Sequence, residues 1–386
     1  MDINSDNEKL NTKEGDKMII MNAYIDNFFS FKKFNMNMSY PRKISDSYIE
    51  GEYLKERENF RYKKVNILMG SNATGKTSFG QMLMAIFNFV ERQEVVRLRD
   101  IVADKSKEAS FSLDFVARTN NMYRLDVKIM PQSENSTTDV LTLTRIAHIS
   151  KKDSYEKCVE KIESQDSELK ENYIEELKKI EPLGWMFSYP RDNTAGIVKC
   201  GSNDVYPKAL ELTLKALDPS IKSVEKLHEV KDSYIIHMND HDLLIQDGEV
   251  IKENILSSGT KAGIDIAEMI SAIIEGEYGF YYCDEKFSYV HSDIERTFLN
   301  IMISCLPCNE QLFFTTHNLD ILDMPLPKHS FVFLKKDINN NKQPISCIYV
   351  SDYLKKNTDS IRNAVENDLF SISPSVDYIY EIANLM

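Results

Sequence analysis

Val65-Asn-Ile-Leu-Met69-Gly70-Ser71-Asn72-Ala73-Thr74-Gly75-Lys76-Thr77-Ser78 is the stretch that decides the fold. A short apolar strand, 65–69, runs into G-x-x-x-x-G-K-T, and a helix-compatible stretch follows from Thr77 to Phe89. The spacing has a mechanical meaning. A glycine-rich loop turns its backbone N–H groups inward around phosphate oxygens, and the positive end of the next helix adds to the attraction. Residues Gly70 to Ser78 are therefore the candidate phosphate cradle. Lys76 supplies a point charge at the β/γ-phosphates, and the Thr77 hydroxyl reaches a magnesium ion.

Three later segments extend this reading. Leu256-Ser257-Ser258-Gly259-Thr260-Lys261 opens a long apolar-rich helix through Ile266, Met269, Ile270 and Ile273, so a small Ser/Gly loop sits at a helix N-terminus, a second anion site. Gly279-Phe-Tyr-Tyr-Cys-Asp284-Glu285 is an apolar strand ending in two carboxylates. Asp284 is placed to hold the magnesium shell, and Glu285 to polarise a water for attack on a γ-phosphate. Gln311-Leu-Phe-Phe-Thr-Thr316-His317-Asn318 again delivers polar groups at the carboxyl end of a strand, where an open α/β sheet binds its ligand. His317 can donate a hydrogen bond to a γ-phosphate and so report its presence. Lys286 to His291 follows the carboxylate pair, and His291 is read as part of an interface with a second subunit.

Composition sets the class. The chain of 386 residues is 42% hydrophobic and 28% charged, enough for one large α/β domain with an inserted lobe. The formal net charge of −13 argues against a general nucleic-acid coat, which needs a basic surface, and suits a basic protein partner. Arg57, Arg61, Lys63 and Lys64 before the cradle, with Arg92, Arg97 and Arg99 behind its helix, form a candidate basic strip or a set of solvated surface charges. The six cysteines are dispersed without zinc spacing, and Cys305-Leu-Pro-Cys308 reads as two packing thiols. A reducing cytoplasm is expected. No stretch approaches the roughly 18 apolar residues of a membrane span.

The chain divides into a polar tail at 1–16, expected to be disordered; a first lobe at 17–150 with the cradle and an antiparallel β subdomain; an inserted helical lobe with short hairpins at 151–255; a segment at 256–350 carrying the Ser257 loop, the carboxylate strand and His317; and a helical tail at 351–386. An opening hairpin is expected from Met18–Asn27 and the alternation of Phe34, Met36, Met38 and Tyr40. Residues 41–59 read as a polar loop. Strands are expected at 111–117, 122–129 and 140–146. Residues 152–180 form an amphipathic helical segment broken near Ser164, Pro207 starts a helix to about Leu217, and 228–247 carries short strands with a turn at Asp247-Gly248.

Together these motifs resemble the ABC-type ATPase heads of the structural-maintenance-of-chromosomes and RecF group, and most closely the short AAA-like ATPases related to the overcoming-lysogenization-defect proteins. The likeness includes Asn27-Phe-Phe-Ser-Phe31, the Ser-Ser-Gly-Thr signature, the Thr-Thr-His-Asn run and a tail near 354–374. It implies a P-loop NTPase fold with a mixed central sheet, an antiparallel β subdomain and an inserted helical lobe. It also implies ATP and Mg2+ as ligands, and a homodimer that sandwiches ATP. Ser257, Ser258 and Gly259 of one copy would then face the nucleotide of the other, while Lys76, Thr77, Asp284, Glu285 and His317 act within one chain. The isolated chain is expected to be a slow ATPase. No family glutamine of the Q-loop is placed, Gln93, Gln132 and Gln165 all being candidates. The aromatic adenine contact falls near Phe28, Phe29 and Phe31.

The residues after His317 lack the Glu and Asp-x-Asp set of a TOPRIM nuclease, and Asp240-His-Asp242 precedes the signature in a hairpin. The expected function is thus an ATP-driven regulator of a separate nuclease or toxin in bacterial antiphage defence. The alternative is a RecF-like DNA-repair ATPase that grips duplex DNA.

Overall fold

The computed structural model describes residues 18–43, 47–118, 120–131, 140–190, 204–227, 230, 232–246, 249–250, 257–337, 339–356, 358–372, 377–382 and 385. The expectations for 1–16, for Gln132 and for the Asp247-Gly248 turn lie outside them.

Three larger sheets and one two-stranded hairpin organise the described residues. The opening strands β1 (Ile19–Asp26) and β2 (Phe34–Asn37) pair antiparallel, and β1 then pairs β6 (Ala109–Val116), followed by β7 (Asn121–Ile129) and β8 (Val140–His148). The order is β2-β1-β6-β7-β8. β1 is buried throughout Ile19–Met21, and from Asn22 to Asp26 buried and half-exposed side chains alternate. Between β2 and β6 lie β3 (Tyr53–Leu54), β4 (Arg57–Arg61), β5 (Val65–Met69), α1 (Lys76–Arg92) and α2 (Val95–Asp100). The β3–β4 hairpin corrects the loop expected at 41–59. Its strands are two and five residues long and its turn uses Glu56 at φ 64°, so no periodic signal marks it.

The central sheet has the order β17-β16-β5-β15-β14-β9, from β9 (Trp185–Ser188), β14 (Phe280–Asp284), β15 (Gln311–Thr315), β16 (Phe331–Lys336) and β17 (Ile345–Tyr349). The neighbours from β16 to β9 run parallel and β17 closes the edge antiparallel. β5, β14 and β15 are buried at every position, as continuous apolar runs in a covered parallel sheet must be. One face packs α1: Phe79, Leu83 and Phe87 meet Phe280, Tyr282 and Phe313, and the far side of α1 meets the first sheet through Phe31, Phe34 and Phe111. At Gly80 the fit leaves no room, since a Cβ there would stand 2.6 Å from the Tyr282 ring. The other face carries Ile67, Tyr281, Cys283 and Phe314 against α6 (Ser258–Glu275) and α7 (Ser292–Cys305). Each such buried aromatic or aliphatic side chain contributes about 1.5–3 kcal/mol.

The stretch 151–255 is distributed over three places. α3 (Tyr155–Glu163) and α4 (Tyr173–Leu177), separated after the Ser164 cap, lie against β8; β9 joins the central sheet; and α5 (Tyr206–Leu217) with β10 (Ile221–Lys226), β11 (Tyr234–Met238) and β12 (Asp242–Gln246) packs on α6, β13 (Glu249–Val250) pairing with β12. α8 (Val350–Tyr353), α9 (Ile361–Glu366) and α10 (Asp377–Ile382) complete the chain. Arg362 of α9 pairs with Asp320 and Asp323, tying this tail to the 3-10 turn at Leu319–Asp323 that follows His317. Cys305 closes α7 half-buried and Cys308 is exposed. Among the described residues no helix is long and apolar enough to cross a membrane.

Two lysines of the supposed basic strip prove internal. Lys63 and Lys64 are 5% and 3% exposed; Lys63 Nζ donates to Asn37 O at 3.0 Å and sits 3.8 Å over the Tyr349 ring, and Lys64 Nζ donates to Glu50 O and Leu306 O. They bind the first sheet and its loops to the central sheet. Burial lowers the Lys63 pKa from 10.5 to about 8. The sign follows by linkage. Below pH 8 both folded and unfolded chains hold the proton and the burial penalty is fully present. Between pH 8 and 10.5 the unfolded chain binds more protons, so stability rises with pH. Urea unfolding of wild type and Lys63→Met is expected to differ in that window, the wild type gaining about 3 kcal/mol more than the variant as pH rises. Parallel profiles would contradict the assignment.

Candidate functional site

At the carboxyl end of β5 the chain turns at Gly70, whose φ of 149° and surroundings admit no side chain: a Cβ would meet Leu334 O at 2.5 Å and Thr74 Oγ1 at 2.9 Å. Gly75, at φ 104°, then opens α1. This helix starts with no side-chain cap and no acid in its first turn. Its first N–H groups therefore face the loop with no capping side chain of their own, the arrangement that favours an anion. Asn72, Ala73 and Thr77 are exposed, Ser71, Gly75 and Ser78 half-buried, and Thr74 is buried with its hydroxyl on Ser71 O at 2.9 Å.

Residues far apart in the chain meet here. β14 and β15 lie beside β5, so their carboxyl ends open on the same loop. Thr77 Oγ1 donates to Asp284 Oδ2 at 2.7 Å, and Thr315 Oγ1 donates to Asp284 Oδ1 at 2.7 Å. Lys76 Nζ stands 3.3 Å from Glu285 Oε1 and donates to Gly70 O at 3.1 Å. His317 Nε2 approaches the same Glu285 oxygen at 2.8 Å. Glu285 holds φ 41°, a left-handed backbone that costs a non-glycine residue of order 1–3 kcal/mol, and its N–H is fixed by Thr315 Oγ1 at 2.9 Å. The strained turn aims the carboxylate back at the loop.

The electrostatics are uneven. Burial raises the Asp284 carboxyl above its usual range, with the Thr315 and Thr77 hydroxyls opposing, and burial lowers the Lys76 amine, with Glu285 opposing. Two carboxylates face one lysine and one half-exposed histidine. A hydroxyl and a carboxylate 2.7 Å apart, with negative charge in surplus, are the hard oxygen donors that magnesium takes. A loop closed to any Cβ at Gly70 and a bare helix start fit a phosphate. The site thus suits both groups.

The Ser257 loop lies elsewhere on the chain. Ser257 caps α6, its Oγ accepting from Thr260 N at 3.1 Å, and Thr260 Oγ1 reaches Asp218 Oδ2 at 3.4 Å. Ser257 and Ser258 are exposed, and a Cβ on Gly259 would lie 3.5 Å from Tyr289 O. The turn therefore abuts the segment that holds Tyr289, itself 74% exposed, and His291, the N-cap of α7.

Several groups escaped the sequence reading. Thr315, which opens the Thr-Thr-His-Asn run, has no role assigned there, yet it donates to Asp284 Oδ1 and accepts from the Glu285 N–H. Glu295 of α7, buried and with its carboxyl raised by that burial, accepts from Thr316 Oγ1 at 2.6 Å and Asn318 Nδ2 at 2.8 Å, clamping the loop on both sides of His317. Buried Lys286 pairs with Asp265 of α6 and donates to Tyr189 O beyond β9. These three join by tertiary contact, which no spacing reports. Gln93 caps the far end of α1, 17 residues from Lys76, and Gln165 donates to Ile146 O; neither lies at the loop. Phe28 and Phe31 are buried in the core, Phe31 beneath Gly75, while Phe29 is partly buried.

The architecture is the fold of an SMC head. Neither protein-family models nor curated proteins give a match. Solved structures do. An SMC head bound to the C-terminal winged-helix domain of ScpA aligns at TM-score 0.52 and 12% identity, covering 87% of this chain and 99% of that one. The SMC head with an extended coiled coil from Pyrococcus furiosus, bound to the C-terminal domain of ScpA, aligns at TM-score 0.51 and 9% identity, covering 88% and 98%. These likenesses show the fold.

Proposed function

We propose that the chain binds Mg·ATP in the loop 70–78 and hydrolyses it in a composite site closed by a second copy. The observation that carries this reading is the convergence of Lys76, Thr77, Asp284, Glu285 and His317 from three strand ends. Lys76, Thr77 and the loop N–H groups bind the phosphates. Thr77 and Asp284 hold the magnesium ion, which when bound neutralises developing charge on the phosphates. Glu285 accepts the proton of the attacking water. His317, bonded to Glu285, senses whether a γ-phosphate competes for that contact. Ser257, Ser258 and Gly259 reach the nucleotide of the partner copy, because their exposed helix start is free to meet one.

The composite site has a measurable signature. ATPase activity per chain is expected to rise with protein concentration from the nanomolar to the micromolar range and then level off. Activity per chain that is independent of concentration would contradict a site shared between copies.

The same reading makes the chain a two-state regulator. ATP closes the pair, hydrolysis opens it, and a separate nuclease or toxin of an antiphage system prefers one state. It rests on the ATP machinery gathered around the loop 70–78. The buried link from Glu285 through Lys286 to Asp265 on the Ser257 helix supports coupling between hydrolysis and dimer contact. The RecF-like alternative needs a basic strip, and burial of Lys63 and Lys64 removes two of its cations.

A further inference from the structure

Tyr189 follows β9 at the edge of the central sheet, and nothing assigned so far uses it. β9 runs parallel to β14 with Ser188 opposite Cys283, so the same register sets Tyr189 beside Asp284. Side chains alternate along a strand. Tyr189 accordingly shares a face with Phe187, and the rings agree: Phe187 and Tyr189 stack at 6.0 Å and 6°, Phe187 and Tyr282 at 5.5 Å, and Tyr189 meets Tyr282 at 6.4 Å. That face is the α1 side, because Tyr282 donates to Lys76 O at 2.7 Å and Asp284 on the same strand accepts from Thr77.

The Tyr189 hydroxyl is closed off from solvent and makes no hydrogen bond among the described residues. A buried hydroxyl without a partner costs about 1–3 kcal/mol, and folded proteins rarely keep one without a use. Both Asp284 oxygens already accept from Thr77 and Thr315. The ring cannot easily turn away, since it is stacked and its carbonyl accepts from buried Lys286.

We propose that Tyr189 is a positioning residue for magnesium: its hydroxyl holds a water of the ion's coordination shell next to Asp284. The inference rests on the Mg·ATP reading above. Magnesium keeps several of its waters when bound, and loss of such outer contacts costs about 10- to 100-fold in metal affinity.

The test is Tyr189→Phe, which removes one oxygen and keeps the stacked ring. Three measurements are made on the full chain: thermal unfolding without nucleotide, affinity for a fluorescent ATP analogue in EDTA, and the magnesium concentration that half-maximally tightens that affinity. The expected result is an unchanged or raised Tm, an EDTA affinity within about twofold of wild type, and a magnesium midpoint about 10-fold higher. A midpoint unchanged within twofold overturns the proposal. So does a Tm lowered by several degrees, which would give the hydroxyl a structural partner instead. If the wild type itself shows no magnesium-dependent nucleotide binding, the Mg·ATP reading falls, and this proposal with it; that result is distinct from a variant that merely matches a magnesium-responsive wild type.

Discussion

Glu285→Gln is expected to lower ATP turnover by about 10²- to 10⁴-fold, the usual contribution of a general base, while leaving ATP binding intact. The reasoning is local. Glutamine keeps the shape of the side chain and can still accept from His317, whose Nε2 lies 2.8 Å from the carboxylate. It loses the charge that takes up the proton of the attacking water. The left-handed backbone at 285 is held by Thr315 through the Glu285 N–H, which the substitution does not touch. The variant is therefore expected to fold and to collect in the ATP-bound, closed pair, visible as a larger species by light scattering with Mg·ATP. Single-turnover kinetics checks the rate. A turnover within twofold of wild type would move the base elsewhere.

Lys76→Ala is expected to abolish the other half of the reaction. Its ammonium is buried among Gly70 O, Ser71 O and Glu285, and burial already pushes its pKa down. A phosphate would engage it through charge-assisted hydrogen bonds of about 1.5–3 kcal/mol each. Two such contacts imply a loss of at least about 100-fold in ATP affinity, read by equilibrium binding of a fluorescent analogue. Stability without nucleotide is expected to change little, because Glu285 is partly exposed and keeps His317. The two variants thus separate: one binds and does not turn over, the other does not bind. A Lys76→Ala protein that binds ATP as wild type does would contradict the cradle.

β5 and the loop after it are legible in the sequence because their chemistry is sequential: a short strand of four apolar residues and Asn66, then glycines at the positions where the backbone must turn and approach. The opening hairpin is legible because β2 buries one face only, which sets Phe34 and Met36 against Asn35 and Asn37 at a period of two. Asp284, Glu285 and His317 are legible as polar groups at the ends of apolar strands, although nothing in their spacing gives their separation in space. The β3–β4 hairpin is illegible, being short, polar and stabilised by its place beside the first sheet. The interior position of Lys63 and Lys64 contradicts their type, since a lysine is rarely buried unless its amine finds acceptors, and these acceptors come from Asn37, Glu50 and Leu306. Tyr189 and Glu295 are invisible for the same reason: their significance lies in the strand or loop they face, set by sheet order and not by neighbours in sequence.

The structural likeness to SMC heads bears on the fold, and the site geometry carries the chemistry beyond it. The link most open to attack is the step from five side chains around one loop to one nucleotide shared by two copies. A crystal structure of Glu285→Gln grown with Mg·ATP tests that step directly. The account predicts a γ-phosphate within hydrogen-bond distance of Lys76 Nζ, magnesium on Thr77 and Asp284, and the Ser257 loop of a second copy across the same phosphate. Nucleotide bound away from residues 70–78, or a copy whose Ser257 loop faces solvent, would contradict it.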